Sequence, residues 1–209
     1  MNLSDLAVRY CYVDPASGKK ERELKKVRAR SAIVVVAPDW QGRIFVLDAW
    51  AERTSTEKLI ERMYSTHDKW QLKIMGGEAN GMQSIFQDAV IRDARLRGKH
   101  LPLTHIYQPT GIDKDTRIRT RLQPLIANGR LFVRQDMTEL ITEIEGFPLT
   151  PFKDCIDALA GAVALIPPIA TTPERDRELD TLLDYLRRTG APPDYIERIK
   201  REGGLRRGR

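Results

Sequence analysis

Two cysteines in 209 residues leave no disulfide framework to build on. Cys11 and Cys155 each stand alone among apolar neighbours, which suits reduced core thiols and a cytoplasmic setting. His67, His100 and His105 have no metal-ligand spacing with either cysteine, so nothing points to a zinc site. There is no G-x-S-x-G elbow to carry a serine hydrolase, and no G-x-x-x-x-G-K-[ST] loop to cradle a nucleotide phosphate. No apolar run approaches the roughly 18–20 residues that a membrane helix needs. The opening MNLSDLAVRY carries an early acid and no apolar signal core, so neither a targeting segment nor a membrane association is expected. Internal repeats and low-complexity tracts are missing as well. What remains is an ordinary globular composition, 41% hydrophobic, in a chain long enough for one sizeable core with additions.

The charge is unbalanced toward the basic side, with a net +6 and a sequence pI of about 9.4. A basic balance favours polyanionic partners, because lysine and arginine clusters bind phosphates and release counterions. Much of the excess sits in KKERELKKVRAR (19–30) and in the tail IKREGGLRRGR (199–209). The bland alternative for either run is a solvated charged face.

Turn chemistry and hydrophobic period divide the chain. VRYCYV (8–13) alternates as a strand does, DPASG turns, and a basic connection leads to SAIVVVA (31–37) and, after PDWQG, to RIFVLDAW (43–50). These predict three antiparallel strands. Helices are then predicted over 54–70, with Ser55 or Thr56 as N-cap, and over 82–98, 114–129 and 137–147. Pro124 marks a kink or end in the third, and Gly129 suits its C′ position. Short strands are predicted at 72–78, 103–109 and 130–134. The expected fold class is α/β: a mixed sheet, three antiparallel strands then parallel ones, flanked by helices. IPPIATTPE (166–174) reads as a linker between a first domain, 1–168, and a charged helical extension, 169–209, with helices at 174–188 and 193–202.

KDCIDALAGAVALIPP (153–168) poses the sharpest chemical question. From Cys155 to Ile166 only Asp157 interrupts an apolar helix, and Asp154 lies one turn earlier. A buried carboxylate needs a partner, or it shifts its pKa and neutralises. Two more acids stand at ends of predicted strands: Asp14, in YVDPA, and Glu78, in GGEANG. Polar residues at strand ends and helix starts can converge at one edge of such a sheet. Carboxylates gathered there repel one another unless a cation lies between them, and hard oxygen donors suit Mg²⁺ or Mn²⁺. Two such ions can activate water and stabilise a leaving oxygen in phosphodiester hydrolysis. Singly, each acid has a plainer reading: Asp14 as a turn opener, Asp154 as an N-cap and Glu78 as a loop acid.

Four segments in order, YVDPASG…SAIVVVAPDWQGRIFVLDAW, MGGEANGMQ, GIDKDTRIRTRLQPLIANGRLFV and FPLTPFKDCIDALAGA, resemble the C-terminal nuclease domain of phage large terminase subunits. The likeness spans about residues 8–165. It implies an RNase H-like fold with a two-metal endonuclease site that cuts concatemeric viral DNA during packaging in the host cytoplasm. Carried over, Asp14 matches the first-strand acid and Glu78 the acid ending the fourth strand. Asp154 and Asp157 match the two acid positions of the final motif, so all four are expected as catalytic metal ligands for Mg²⁺ or Mn²⁺. Lys114 and Arg117 match a basic K-x-x-R segment, expected to touch phosphate or support the site. Lys19, Lys20, Lys25, Lys26 and Arg28, with Arg22 and Arg30, project from the first connection and are expected to hold double-stranded DNA. The implied partners are a terminase ATPase module, the small terminase subunit and the portal.

This chain departs from the family pattern at three points. Where many relatives carry an Asp just before the second strand, it offers Arg30 or Ser31, so the second ion is less secure than the first. Lys153 precedes Asp154, where an acid or His is frequent. The ATPase phosphate loop is missing, which implies a fragment or a free-standing nuclease subunit. Two other readings stand beside this one: an RNase H-like nuclease of Holliday-junction resolvase or transposase type, and a non-catalytic DNA-binding or docking module.

Overall fold

A computed structural model describes residues 6, 8–16, 30–78, 84–106, 111–167, 183–184, 186–187 and 192–201. The chain forms two compact units, Met1–Asp39 with Arg43–Ile166, and Trp40–Gly42 with Pro167–Arg209. In the first, three strands come in succession: β1 (Tyr10–Asp14), β2 (Ser31–Pro38) and β3 (Ile44–Glu52). There follow α1 (Thr56–Trp70), β4 (Ile74–Glu78), α2 (Ser84–Arg97), β5 (Leu103–Ile106), α3 (Lys114–Ala127), β6 (Leu131–Phe132), α4 (Thr138–Gly146) and α5 (Asp154–Ala164). In the second unit the chain forms α6 (Pro193–Arg201), where Arg198 lies over the Tyr195 ring.

The six strands run in the order β5-β4-β1-β2-β3-β6. β1, β2 and β3 pair antiparallel, β4 pairs parallel with β1, β5 parallel with β4, and β6 parallel with β3. The expected α/β mixed sheet is therefore the observed one. Boundaries differ where tertiary pairing decides them. The first strand is β1, Tyr10–Asp14, because Asp14 pairs with Ala32 of β2; the acid is the strand's last residue. The strand expected at 130–134 contracts to Leu131–Phe132, which pairs with Ile44 and Phe45 at the sheet edge. Residues 107–110 and most of 174–188 lie outside the described residues.

Strand period 2 sorts the core into two layers. Tyr10, Tyr12, Ala32, Val34 and Val36 face one side, with Ile118 and Leu122 of α3, Leu140 of α4 and most of α5. Cys11, Val13, Ile33, Val35 and Ala37 face the other, against Leu59, Ile60, Met63 and Tyr64 of α1 and Phe86 and Val90 of α2. β2 is covered on both faces, which is why SAIVVVA reads as a continuous apolar run rather than an alternation. Ser55 caps α1, its hydroxyl accepting from the Lys58 N–H at 3.4 Å. Pro124 lies inside α3, and Gly129 follows its end at φ +61°, a left-handed position that suits glycine. Cys11 and Cys155 are free and buried, and burial pushes both thiols up from their ordinary range. No helix among the described residues is long and apolar enough to cross a membrane.

Candidate active site

Parallel pairing of β1 with β4 runs from Tyr10↔Ile74 to Val13↔Gly77. The next residues along these adjacent strands are Asp14 and Glu78, at the same end of the sheet. Antiparallel pairing of Asp14 with Ala32 means that the connection between β1 and β2 leaves from this end too. α5 packs across β1, β2 and β3 and brings its first turn, with Asp154 and Asp157, to the same region.

Asp157 is only 7% exposed, and its partners come from α3. The Lys114 ammonium lies 3.0 Å from its Oδ2, and an Arg117 guanidinium nitrogen 3.2 Å from its Oδ1 and 3.4 Å from its Oδ2. The same Lys114 nitrogen is 3.9 Å from Oδ2 of Asp14. Burial works against the Lys114 ammonium, but Asp157 and then Asp14 outweigh it and hold its pKa above the ordinary lysine range. The two basic residues are three apart on one helical face. Asp113 fixes where that helix starts: its carboxylate accepts from the Thr116 N–H at 2.9 Å and the Thr116 hydroxyl at 2.6 Å.

Asp154 belongs to another cluster. Arg30, 12% exposed, donates from Nε to Asp154 at 3.2 Å, from one terminal nitrogen to Glu139 at 3.3 Å and from the other to Glu143 at 2.5 Å. Its guanidinium stacks 4.2 Å above the Phe152 ring. Glu143 is 3% exposed and also accepts from the Ile156 N–H at 2.9 Å, tying α4 to the start of α5. Burial raises the Glu143 carboxyl above the ordinary range, although the Ile156 N–H and Arg30 oppose that shift. Thus Arg30 neutralises one member of the Asp154/Asp157 pair. Ser31 turns its hydroxyl to the Ala16 N–H at 3.1 Å.

Lys153 donates to both oxygens of Asp115 at 2.8 and 2.6 Å, so the first turns of α3 and α5 are joined by pairs running in both directions. Lys114 and Arg117 therefore face carboxylates. Lys19, Lys20, Arg22, Lys25, Lys26 and Arg28 lie outside the described residues, as does the side chain of Glu78. Sequence reasoning missed Glu143, yet a signal was present. It stands three residues after Leu140 and six after Met137, an acid on the apolar stripe of a short helix.

The described residues contain no group of three or more His, Cys, Asp or Glu side chains arranged to hold a metal. Asp14 and Asp157 nevertheless share one cation, the Lys114 ammonium. Their donors are hard oxygens, and Asp14 is 22% exposed. This pair fits a hard divalent ion, with Glu78 at the adjoining strand end.

No protein-family model matches the sequence, and no curated protein matches it either. Solved structures do match in shape. The P22 large terminase nuclease domain aligns over 73% of this chain and 78% of its own, with 14% identity and a TM-score of 0.51. The large terminase nuclease of thermophilic phage G20c with bound zinc aligns over 69% and 78%, with 14% identity and a TM-score of 0.52. Thermus thermophilus RuvC in complex with a Holliday junction substrate aligns more loosely, over 73% and 90%, with 14% identity and a TM-score of 0.42. The fold is therefore RNase H-like. Within that class it is similar to the nuclease domains of phage large terminases.

Proposed function

We propose that this chain is a metal-dependent endonuclease of the terminase kind, cutting double-stranded viral DNA concatemers during packaging. One observation carries the reading: Asp14 from β1 and Asp157 from α5, distant in sequence, reach a single cation at one end of an RNase H-like sheet. Asp14, Asp157 and Glu78 would hold Mg²⁺ or Mn²⁺, and the zinc bound to the G20c nuclease supports divalent-ion occupancy on this fold. Asp154 would join them only if Arg30 released it. We assign the nuclease to residues 1–168 and a charged helical extension to 169–209.

A bound divalent ion would lower the pKa of a water nucleophile and stabilise the oxygen leaving phosphorus. The chain's own groups do the positioning. One terminal nitrogen of Arg117 is shared between the two Asp157 oxygens and would orient that carboxylate. Lys19, Lys20, Lys25, Lys26 and Arg28, in the connection that starts beside Asp14, would hold the duplex backbone without reading its bases. An ATPase module, the small terminase subunit and the portal are the partners that the terminase likeness supports.

The test is nicking of supercoiled plasmid by the whole chain in Mn²⁺, Mg²⁺ or EDTA, beside Asp14→Asn. Cutting that needs the divalent ion and disappears in the variant supports the proposal. Wild-type protein that never cuts in either ion would instead leave a DNA-binding or docking module. Preference for four-way junctions over linear duplex would move the assignment to a resolvase.

A further inference from the structure

The nuclease reading requires a cation between Asp14 and Asp157, and the protein already supplies one. Lys114 Nζ is 3.0 Å from Asp157 and 3.9 Å from Asp14, within reach of one carboxylate oxygen on each. We propose that Lys114 is a built-in counter-ion which a divalent ion must displace, so that this side chain sets the metal concentration at which the site loads. The inference rests on the nuclease reading of the same site.

Two contrasts between Lys114 and Arg117 support it. The Lys114 side chain is 39% exposed, whereas that of Arg117 is 13% exposed. Lys114 offers a single compact charge on a flexible stem, which can swing into solvent; Arg117 is a planar group that sets one terminal nitrogen 3.2 and 3.4 Å from the two Asp157 oxygens. Arg117 is therefore placed to stay and orient Asp157, and Lys114 to leave. A divalent ion held by the Asp157 carboxylate would compete with the ammonium for it and repel it. Before the ion arrives, Lys114 offsets the repulsion between the two acids and keeps them in place. Metal binding and the Lys114 ion pair are then linked negatively: each weakens the other by the same factor.

The experiment measures Mn²⁺ binding to the whole chain without DNA, by calorimetry and by the electron paramagnetic resonance of free Mn²⁺. Melting curves with and without the ion are recorded in parallel. Lys114→Met should bind Mn²⁺ about tenfold more tightly than wild type, a coupling of ordinary size. It should melt lower without metal and gain more from Mn²⁺ than the wild type does. Lys114→Arg, which keeps the charge, should show no tightening. Should Lys114→Met fail to fold, Lys114→Gln makes the same comparison. Unchanged or weaker affinity in the neutral variant, with Asp14→Asn losing Mn²⁺ binding, overturns the counter-ion role and leaves the nuclease reading standing. If neither wild type nor the neutral variant binds Mn²⁺, both fall.

Discussion

Gly161 of α5 lies against the ring of Tyr12 in β1 so closely that a Cβ at position 161 would stand 2.5 Å from the ring's Cγ. One turn before Gly161 on the helix is Asp157, and two residues beyond Tyr12 on the strand is Asp14. The close approach of helix to strand is what lets those two acids reach the same lysine. Gly161→Ala gains roughly 1 kcal/mol of helix propensity but overpacks a buried aromatic ring, at about 1–3 kcal/mol. Net destabilisation of up to about 2 kcal/mol is expected in urea unfolding. Mn²⁺ affinity should fall as well, because the helix must back away from β1. A variant as stable as wild type, with unaltered Mn²⁺ affinity, would show that the packing relaxes without moving the acids.

Arg30 and Glu143 form the most deeply placed ion pair of the cluster beside the site, with side chains 12% and 3% exposed. Arg30→Met leaves Glu143 buried without its cation and should cost about 3–5 kcal/mol. Glu143→Gln tests the pair through pH. Burial raises the Glu143 carboxyl above its ordinary 4.5, so in that window the folded protein holds a proton that the unfolded chain has released. The Glu143 contribution therefore grows as pH falls through the folded value toward 4.5 and is flat above it. Melting temperatures of wild type minus Glu143→Gln should rise on acidification from neutral pH to about pH 5. A difference that stays level or shrinks over that range would mean that Arg30 controls the carboxyl more than burial does.

Much of the sheet was legible because its causes are local. Turn residues at DPASG and PDWQG and β-branched runs between them announce three antiparallel strands, and Ser55 announces the start of a helix. The buried helix at 153–166 was legible from its unbroken apolar character, and so was the demand that its acids be neutralised. What neutralises them was not. Asp157 is met by Arg117, 40 residues upstream, and Asp154 by Arg30, 124 residues upstream. Such pairs are fixed by how β2, α3 and α5 pack, and spacing carries no trace of that. The protein's own cations serve each of them, and the Lys114 ammonium that pairs with Asp157 also lies near Asp14.

The basic connection gives a separate prediction about DNA. Replacing Lys25, Lys26 and Arg28 together with Ala takes away three cations that would face phosphates. The slope of log K against log salt for duplex DNA should fall by roughly 0.9 for each phosphate left without its cation. Deleting the chain after Gly203 should matter less for cutting. Filter binding across a salt series checks this. An unaltered slope in the triple variant, with binding abolished by tail deletion, would transfer the DNA to the C-terminal tail.

Asp154 and Asp157 differ by one helical turn in sequence and by their whole electrostatic setting in the structure. Asp157→Asn takes a hard donor away from the position it shares with Asp14 and leaves Lys114 and Arg117 facing a neutral amide. Plasmid cutting in Mn²⁺ should drop to the EDTA baseline. Asp154→Asn instead loosens the carboxylate cluster around Arg30, which still has Glu139 and Glu143 to bind. That variant should lose about 1–2 kcal/mol of stability, the size of a partly screened charge-assisted hydrogen bond, and keep cutting at temperatures well below its melting point. Mn²⁺ calorimetry on the two variants separates the roles from any effect on DNA binding, since only Asp157→Asn should weaken the ion. The opposite pattern, with Asp154→Asn inert and metal-free while Asp157→Asn still cuts, would mean that Arg30 releases Asp154 when the ion binds and that Asp157 belongs to the salt-bridge scaffold.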